Sequence, residues 1–371
     1  MRVLFLDQFA QPGGAQLCLK DVMAEANQRG WTTRLMAPGD GLPTSIESYT
    51  NGRKSWRDYC AFPVDTMRAA ISIRRRARQF RPDVVYANGP RVLPAAVIAG
   101  RPLVFHAHSY LTEQHARAVT RVCLRRARAR VFAASEFVAR PLREMMRGPG
   151  IRVIYNGVAD QKFCARAFDA RVLTVGILGR IAQEKGQLDF LSAAREIGAS
   201  FPETRFVIIG APLFSGSEYD AEVRREAQRM GVNIRGWQDS VSEALHAIDI
   251  LAVPSGAVES TPRVIPEAMS AGTPVVAYPS GGIPELIRSG QTGVLTAGAN
   301  PEALAWAIFD LMTNRELMRW ISVNGRREWE ARFQAPRFVR EVCDSLVEMG
   351  EQRSSVDAHE TRQQHTPSAI G

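Results

Sequence analysis

Lysine is scarce in this chain of 371 residues. Arginine supplies 43 of its 47 basic side chains, and the only lysines are Lys20, Lys54, Lys162 and Lys185. We attribute the bias to GC-rich coding, yet it means that a lysine in a loop of this protein is not generic surface filler. The formal net charge of +9 favours anionic partners in general, whether phosphates, a membrane surface or nucleic acid.

Features of secreted and membrane-spanning proteins are also missing. The five cysteines are scattered and form neither a C-x-x-C pair nor a cluster with zinc spacing, which favours a reducing compartment. The amino-terminal run MRVLFLDQFA is too short and too weakly basic for a signal peptide, and no later apolar run reaches membrane-span length. We expect a cytoplasmic protein, and a peripheral position at the inner face of the membrane stays open.

Short apolar runs alternate with longer amphipathic stretches, the pattern of β-α-β units on parallel sheets. The periodicity lapses once, in NGVADQKFCARAFDAR (156–171), and only helical patterns remain after Asn300. The predicted strands are Val3–Leu6, Thr33–Met36, Val84–Ala87, Leu103–His106, Val131–Ala134 and Arg152–Tyr155 before the lapse, and Val172–Leu178, Arg205–Ile209, Val232–Arg235, Ile250–Val253, Pro274–Ala277 and Gly293–Leu295 after it. The pattern predicts two doubly wound α/β domains of similar size.

We place the domains at residues 1–165 and 166–334, followed by a helix over 335–350. The first helix is expected to run from Ala15 to Arg29. The tail 351–371 is polar and lacks an apolar stripe, so we predict that it is disordered.

The segment QPGGAQ follows the first predicted strand. Gly13 and Gly14 would allow close backbone approach at a helix N-terminus, where free amides can bind an anion. A tight strand-to-helix turn explains the pair equally well. The segment is not a dinucleotide fingerprint, since no G-x-G-x-x-G occurs here.

A loop with two cations, GRIAQEKG (179–186), follows the first strand of the second half. Arg180 and Lys185 would lie before a helix N-terminus, an arrangement that suits a diphosphate. In a sheltered site each charge-assisted hydrogen bond would contribute about 1.5–3 kcal/mol. The alternative is a solvated pair with Glu184, but the scarcity of lysine and the strand-end position favour the anion site.

Two glutamates eight positions apart, Glu259 and Glu267, lie in VESTPRVIPEAMSAGTPVVA. Thr261 is the predicted N-cap of a helix whose first residue is Pro262. If the segment were helical throughout, the two acids would be about 12 Å apart along the axis, whereas a carboxylate pair that acts on one glycosidic bond is about 5–9.5 Å apart. We therefore predict that they bind hydroxyl groups at opposite ends of an elongated ligand, with the amides of 260–264 facing a negative charge between them.

These motifs resemble those of the retaining GT-B glycosyltransferases of family 4. The resemblance runs from the first strand to the last helix. It rests above all on the Glu-x7-Glu element PSGAVESTPRVIPEAMSAGTPVVA and on GGIPELI and GQTGVL, which follow it. The segments GRIAQEKG, IDILAVPS, ASEFVARPL, VIYNGVAD and FHAHS support it.

The resemblance implies a GT-B fold, with two Rossmann-like domains facing across a cleft and a C-terminal helix that returns to the first domain. Residues 1–165 would form the acceptor side and 166–334 the nucleotide-sugar side. The implied reaction is retaining transfer of a sugar from a nucleotide diphosphate sugar to a saccharide or lipid-linked acceptor, without metal or another cofactor. No Asp-x-Asp occurs in the sequence, so a metal-bridged diphosphate is not indicated.

The resemblance also assigns roles. Glu267 would hold the ribose hydroxyls, Glu259 would lie beside the donor sugar, and Arg180 and Lys185 would neutralise the diphosphate. His108 would lie near both the donor sugar and the acceptor. The other expected donor-binding positions are Gly13, Gly14, Ser260 and Thr261, and Trp237 would either stack on the base or belong to the core.

The sequence departs from the family pattern in several places. Ser260, Thr261 and Pro262 stand where Gly-Phe-Gly is common, Gln16 replaces a common Glu, and Ser109 a common Asp. These changes bear on sugar and acceptor identity more than on reaction class. Pro266, inside the expected helix, would normally cost about 3 kcal/mol, so it either kinks the helix to direct Glu267 or is a tolerated irregularity.

FHAHS places His106 and His108 on one side of a strand end. Because the nearby sequence offers no acid or cysteine, we do not predict a metal site. His108, at the very end, is the candidate for the catalytic site, and His106 is predicted to pack in the core.

Two arginine-rich stretches, IRRRARQFR (73–81) and RVCLRRARAR (121–130), would suit an anionic membrane surface or be solvated helix faces. No aromatic residues interleave with the charges in a nucleic-acid-binding pattern, so we expect no nucleic acid partner. The alternatives to a glycosyltransferase are a non-catalytic sugar-binding scaffold of the same fold, a nucleotide-sugar epimerase and a phosphorylase.

Overall fold

The computed structural model describes residues 1–10, 13–48, 56–127, 129–146, 150–166, 168–213 and 217–364. It contains two parallel sheets, each flanked by helices. We call the sheet formed before residue 156, with its helices, the first lobe, and the sheet formed after residue 171 the second lobe. The division at residues 165 and 166 itself stays a prediction, and the two sheets lie on either side of it.

The first lobe has a seven-stranded parallel sheet in the order β3-β2-β1-β4-β5-β6-β7. Its strands are β1 (Arg2–Asp7), β2 (Thr32–Pro38), β3 (Gly41–Leu42), β4 (Val84–Asn88), β5 (Leu103–Ala107), β6 (Arg130–Ala133) and β7 (Ile151–Val153). The helices are α1 (Gly14–Gln28), α2 (Ser45–Ser48), α3 (Trp56–Phe80), α4 (Leu93–Ala99), α5 (Gln114–Ala127) and α6 (Glu136–Met145). Helices cover both faces, so β4 and β5 are continuous buried runs.

The second lobe has a six-stranded parallel sheet in the order β10-β9-β8-β11-β12-β13. Its strands are β8 (Thr174–Leu178), β9 (Arg205–Ile209), β10 (Asn233–Arg235), β11 (Ile250–Val253), β12 (Val275–Ala277) and β13 (Val294–Leu295). The helices are α7 (Gln187–Ser200), α8 (Ser217–Met230), α9 (Val241–His246), α10 (Val264–Ala271), α11 (Pro301–Thr313), α12 (Arg315–Arg332) and α13 (Ala335–Gln364).

Strand order reverses beside the first strand of each lobe, between β1 and β4 and between β8 and β11. In open parallel sheets, ligands bind at the carboxyl ends of the strands at such a switch point. The fold therefore confirms the predicted class, two doubly wound Rossmann-like lobes. All twelve predicted strands are present, whereas the two-residue β3 was not predicted.

The last helix belongs to the core of the first lobe. Phe338, Val342 and Leu346 of α13 are buried in one cluster with Val3 and Phe5 of β1. The predicted return of the chain is thus confirmed. The prediction that the tail is disordered from Glu351 is wrong for residues 351–364, which continue α13. This segment contains neither glycine nor proline, so a helix anchored by its packed first turns can propagate through it; residues 365–371 lie outside the described part.

The chain crosses between the lobes twice, and the two crossings are bonded to each other. Val158 donates its amide to the Phe333 carbonyl at 2.8 Å, and its own carbonyl accepts from Ala335 N at 3.0 Å. A side chain at Gly157 would approach the Gln334 carbonyl oxygen to 2.6 Å. A glycine is therefore required where the crossings touch.

Candidate functional site

The carboxyl ends of β8 and β11 carry two loops that are bonded together. Gly256 N donates to the Glu184 carbonyl at 2.8 Å. Gly186, with φ of +74°, lies so close to the other loop that a Cβ there would be 2.2 Å from the Pro254 carbonyl oxygen. Any side chain at this position would separate the loops. The glycine that ends GRIAQEKG thus places Arg180 and Lys185 beside the loop that carries Glu259.

Lys185 and Glu259 form an ion pair across these loops, with 2.5 Å between Lys185 Nζ and Glu259 Oε2. The two side chains are only 26% and 13% exposed, so water screens the pair incompletely. Arg180 behaves differently. Its guanidinium pairs with Glu184, the alternative that the sequence had left open.

A third loop fixes Glu259 from the opposite side. Gly282 N donates to the Glu259 carbonyl at 3.0 Å. Gly281 has φ of +55°, and a Cβ there would be 1.9 Å from the same carbonyl oxygen. The backbone of Glu259 is therefore held between two glycine-containing turns.

Ser260 connects this site to the first lobe. Its hydroxyl donates to the His108 carbonyl at 2.6 Å. Glu259, Ser260 and His108 therefore lie close together at the boundary between the lobes.

The prediction that Thr261 is a helix N-cap is wrong. Helix α10 begins at Val264 with Arg263 at the N-cap, and the Thr261 hydroxyl instead accepts a hydrogen bond from Asn156 Nδ2 at 3.2 Å. The later start also explains Pro266. In the first turn of a helix the amide has no acceptor within the helix, so the proline removes no bond there and neither the expected cost nor a kink is needed.

Arg263 is a site residue that the sequence analysis missed. Its Nη1 contacts Cys18 Sγ at 3.1 Å and the Gly157 carbonyl at 3.2 Å, and its Nε lies 3.6 Å from Glu267 Oε1. A Cβ at Gly14 would be 3.4 Å from Arg263 Cδ. Arg263 thus packs between the lobes. The signal was its position four residues before Glu267, a spacing that brings side chains together on a helix.

Glu267 is mostly buried beside this arginine, with 13% of its side chain exposed. Burial raises the pKa of its carboxyl, and the charge of Arg263 opposes that rise. Burial is the larger cause. A ligand that donates hydrogen bonds to this carboxylate would favour its charged form.

At the carboxyl ends of the first-lobe strands, Asp7, Asn88 and His108 form a second polar group. His108 Nε2 lies 2.8 Å from Asn88 Oδ1, and Asn88 Nδ2 faces the Ala15 carbonyl at 3.5 Å. Since this orientation makes Asn88 Oδ1 an acceptor, His108 carries its proton on Nε2. Gln16 Nε2 donates to Asp7 Oδ1 at 2.9 Å, and burial raises the pKa of Asp7. The sequence analysis singled out neither Asp7 nor Asn88.

His108 is neutral near pH 7. Burial, and then the nearby charge of Arg263, lower its pKa to about 4. Its Nδ1 is buried and has no hydrogen-bond partner among the described residues. The ring therefore offers one acceptor nitrogen.

His106 is a core residue, as predicted. It is 1% exposed, its Nδ1 bonds to the Tyr86 hydroxyl, and its ring centroid is 4.0 Å from that of His108.

The remaining predicted donor-binding residues follow strands of the two sheets. Gly13 is the N-cap of α1 and Gly14 its first residue. Trp237 follows β10 and is 58% exposed, which excludes the core alternative. Within the described ranges, no group of three or more His, Cys, Asp or Glu side chains could hold a metal ion. The roles of these residues and the independence from metal stay predictions.

Two family profiles cover most of the chain. The profile described as Glycosyltransferase Family 4 matches residues 12–162. The profile described as Glycosyl transferases group 1 matches residues 172–314. Each profile therefore matches most of one lobe.

Among curated proteins, the chain is similar to a D-inositol 3-phosphate glycosyltransferase of Corynebacterium urealyticum. The two are 33% identical over 38% of this chain and 35% of the relative, so the chain spans about a third of that relative's length. It is also similar to LpsE of Rhizobium meliloti, a lipopolysaccharide core biosynthesis glycosyltransferase, at 25% identity over 88% of this chain and 93% of the relative.

Among solved structures, HepE of Anabaena in complex with UDP superimposes with a TM-score of 0.76. The two sequences are 25% identical, and the match covers 94% of this chain and 100% of HepE. Another crystal structure of HepE contains UDP-glucose.

Proposed function

Because the chain belongs to the GT-B glycosyltransferases of family 4, we propose that it transfers a sugar from a nucleotide diphosphate sugar to an acceptor hydroxyl. The proposed transfer retains the anomeric configuration and uses no metal. The observation that carries it is the partly buried Lys185–Glu259 pair, placed where Ser260 meets His108 of the first lobe. UDP-glucose is the first donor to test, since it is bound in the similar HepE.

The charges at the lobe boundary support this reaction. The leaving diphosphate gains negative charge as the sugar departs, and groups that bind it most tightly at that point accelerate the step. Lys185, Arg180 and the amides at the start of α1 would supply this stabilisation. The leaving phosphate would take the acceptor proton, so no side chain needs to act as a covalent nucleophile.

The two carboxylates would recognise opposite ends of the donor. Glu267, mostly buried beside Arg263, would accept hydrogen bonds from the ribose hydroxyls. Glu259 would lie beside the sugar and stabilise its developing positive charge. His108, with one acceptor nitrogen free of protein partners in the described chain, would accept a hydrogen bond from a sugar or acceptor hydroxyl.

The acceptor in this proposal is a saccharide or a lipid-linked glycan, consistent with the similarity to a lipopolysaccharide core glycosyltransferase.

We also propose a peripheral association with anionic membranes. Helices α3, α4 and α5 pack side by side, and their outer faces combine apolar and arginine side chains. The exposed apolar residues of this α3–α5 surface are Val64, Met67, Ile71, Ile98, Val119 and Val122, and exposed arginines among them are Arg68, Arg74, Arg75, Arg78, Arg121, Arg125 and Arg126.

The α3–α5 surface suits the interface of a bilayer and not its interior. Apolar side chains can enter the headgroup region while arginines bind anionic lipid. No helix in the described part of the chain is long and apolar enough to cross a membrane.

Substitution of Lys185 tests the proposed transfer. Lys185→Ala removes a cation that would bind the diphosphate. Loss of such a contact in a sheltered site lowers kcat/KM by roughly 10²- to 10³-fold. Lys20→Ala, at an exposed position of α1, is the matched control and should retain wild-type activity. Both variants should show the wild-type circular dichroism spectrum. A folded Lys185→Ala variant with near-wild-type kcat/KM would refute the assignment.

An assay of nucleotide release distinguishes the proposed glycosyl transfer from the alternative functions. The wild-type chain is incubated with a panel of nucleotide sugars and acceptor saccharides, and the products are resolved by chromatography. Acceptor-dependent release of nucleoside diphosphate supports transfer. Epimerised nucleotide sugar, phosphate-dependent sugar phosphate, or binding without turnover would instead identify an epimerase, a phosphorylase or a sugar-binding scaffold.

A further inference from the structure

Three segments that contribute to the family resemblance have no assigned role in the proposed chemistry, and the structure brings them together. They are ASEFV (134–138), VIYN (153–156) and GGIPEL (281–286). They meet at the carboxylate of Glu285, which lies in a short 3-10 turn, Ile283–Glu285, of the second lobe.

The Glu285 carboxylate caps a helix of the other lobe. Its Oε2 accepts from Glu136 N at 2.8 Å, and its Oε1 accepts from Phe137 N at 2.6 Å. These amides are the first two of α6, and the next amide, Val138 N, bonds to the Ser135 hydroxyl at 3.2 Å. The free amides at the start of α6 thus donate partly to the serine that precedes the helix and partly to a carboxylate of the opposite lobe.

A third bond reaches the linker between the lobes. The Tyr155 hydroxyl donates to Glu285 Oε2 at 3.0 Å. Burial, and then the neighbouring carboxylate, raise the pKa of Tyr155 to about 12, so the hydroxyl keeps its proton at neutral pH. Arg332 covers this group, with its guanidinium 5.0 Å from the Tyr155 ring centroid and its Nη2 3.2 Å from the Glu285 carbonyl.

The same turn reaches the donor loop. A Cβ at Gly282 would be 1.9 Å from the Ser260 carbonyl oxygen and 3.2 Å from the Ser135 hydroxyl. Gly282 N bonds to the Glu259 carbonyl at 3.0 Å. Only two residues therefore separate Gly282, whose amide bonds to Glu259, from Glu285, whose carboxylate binds the other lobe.

We propose that Glu285 is a positioning residue that fastens the two lobes together and sets the backbone of the Glu259–Ser260 loop against His108. Its carboxylate accepts hydrogen bonds from the backbone amides at the start of α6, where the helix dipole favours a negative charge. The Gly281–Gly282 backbone carries that constraint to the donor loop. The effect on turnover rests on the proposed transfer, whereas the fastening itself does not. We call this set of bonds the Glu285 clasp.

The test compares Glu285→Gln with wild type in the full chain. The substitution keeps the side chain's shape but replaces one acceptor oxygen by an amide group, which cannot accept from α6. We expect kcat to fall by roughly tenfold or more, because small displacements of a reacting group are costly, while KM for the donor changes less than about threefold. Tyr155→Phe, which removes one bond of three, should have a smaller effect in the same direction.

Hydrogen exchange gives a readout that does not need activity. Amides of Glu136 and Phe137 should exchange faster in Glu285→Gln than in wild type, while peptides from α1 and α7 keep their exchange rates. Glu302→Gln, at an exposed position in the first turn of α11, is the control and should match wild type in both measurements.

The outcomes distinguish this proposal from the proposed transfer. If no donor and acceptor pair gives turnover but exchange at the start of α6 still rises in Glu285→Gln, the clasp stands and the transfer fails. Unchanged exchange, or faster exchange with unchanged kcat, overturns the positioning role. If Glu285→Gln does not fold, Tyr155→Phe supplies the same two measurements.

Discussion

At His108 the surroundings determine both the tautomer and the charge of the ring. Asn88 fixes the proton on Nε2, and burial with the nearby Arg263 lowers the pKa to about 4. An unfolded histidine titrates near 6.5. Between these two values the unfolded chain binds the proton and the folded chain does not, so the stability of the folded state falls as the pH is lowered through this window.

His108→Gln should therefore reduce the acid sensitivity of the fold. Glutamine keeps an amide that can bond with Asn88 but does not titrate. Between pH 6.5 and 4, the free energy of unfolding should decline by up to about 3 kcal/mol less in the variant than in wild type. Urea unfolding at a series of pH values measures the difference. His115→Gln, at an exposed position, is the control, and equal pH dependence in His108→Gln and wild type would contradict the assigned pKa shift.

At the residue scale, Arg263 also shows why part of the site could not be predicted. Its spacing from Glu267 could indicate that one contact, whereas its partners Cys18 and Gly157 are distant in sequence and come together only when the lobes pack. Glu259 and Lys185 were predictable because each follows a strand whose end the apolar pattern already marks. Their pairing with each other was not, because it depends on the contact between Gly186 and Pro254.

At the element scale, apolar periodicity predicted the strands and the first helix to within a few residues, since buried parallel strands are continuous apolar runs. Capping chemistry was less informative. Thr261 and Pro262 have the residue types of a helix start, yet Asn156 from the linker binds the Thr261 hydroxyl and α10 begins at Val264. A tertiary hydrogen bond thus replaced the local one. The same limitation applies to α13, whose first turns pack in the core of the first lobe.

The α3–α5 surface yields a prediction about three helices acting together. The full chain should cosediment with vesicles that contain anionic phosphatidylglycerol, less with pure phosphatidylcholine, and less again at high salt. Ile71 and Val122 are 61% and 63% exposed. The double variant Ile71→Glu, Val122→Glu should lower the vesicle affinity by roughly tenfold or more, because it removes apolar side chains and adds negative charge.

Val323→Glu provides the control for vesicle binding, since it also replaces an exposed apolar side chain by glutamate, at a position of α12 in the second lobe. Equal binding by the double variant and this control would contradict a membrane role for the surface. Sedimentation velocity without vesicles tests whether this apolar surface instead mediates contact between copies of the chain. A dimer that the double variant abolishes would identify the surface as a contact between copies of the chain.

At the scale of the whole molecule, the first lobe is formed by two parts of the chain that are far apart in sequence. The polypeptide forms the first lobe, then the second, and then returns, so that α13 completes the core of the lobe that was formed first. Phe338 lies at the centre of this arrangement. It is fully buried, its ring centroid is 6.3 Å from that of His106, and a Cβ on Gly157 would be 2.7 Å from its own Cβ.

Phe338→Ala should therefore destabilise the first lobe although the residue follows the second lobe in sequence. Truncation of a buried phenylalanine costs about 3–5 kcal/mol. Urea unfolding with and without UDP assigns an unfolding transition to each lobe. On the proposed function UDP binds the second lobe, and at 100 times its Kd it stabilises that lobe by about 2.7 kcal/mol. The UDP-insensitive transition should move to lower urea in Phe338→Ala, while Val323→Ala, at an exposed position of α12, leaves both in place. A shift confined to the UDP-sensitive transition would mean that α13 stabilises the second lobe instead. If there is only one transition and it shifts as a whole, the returning helix makes the two lobes unfold as one unit.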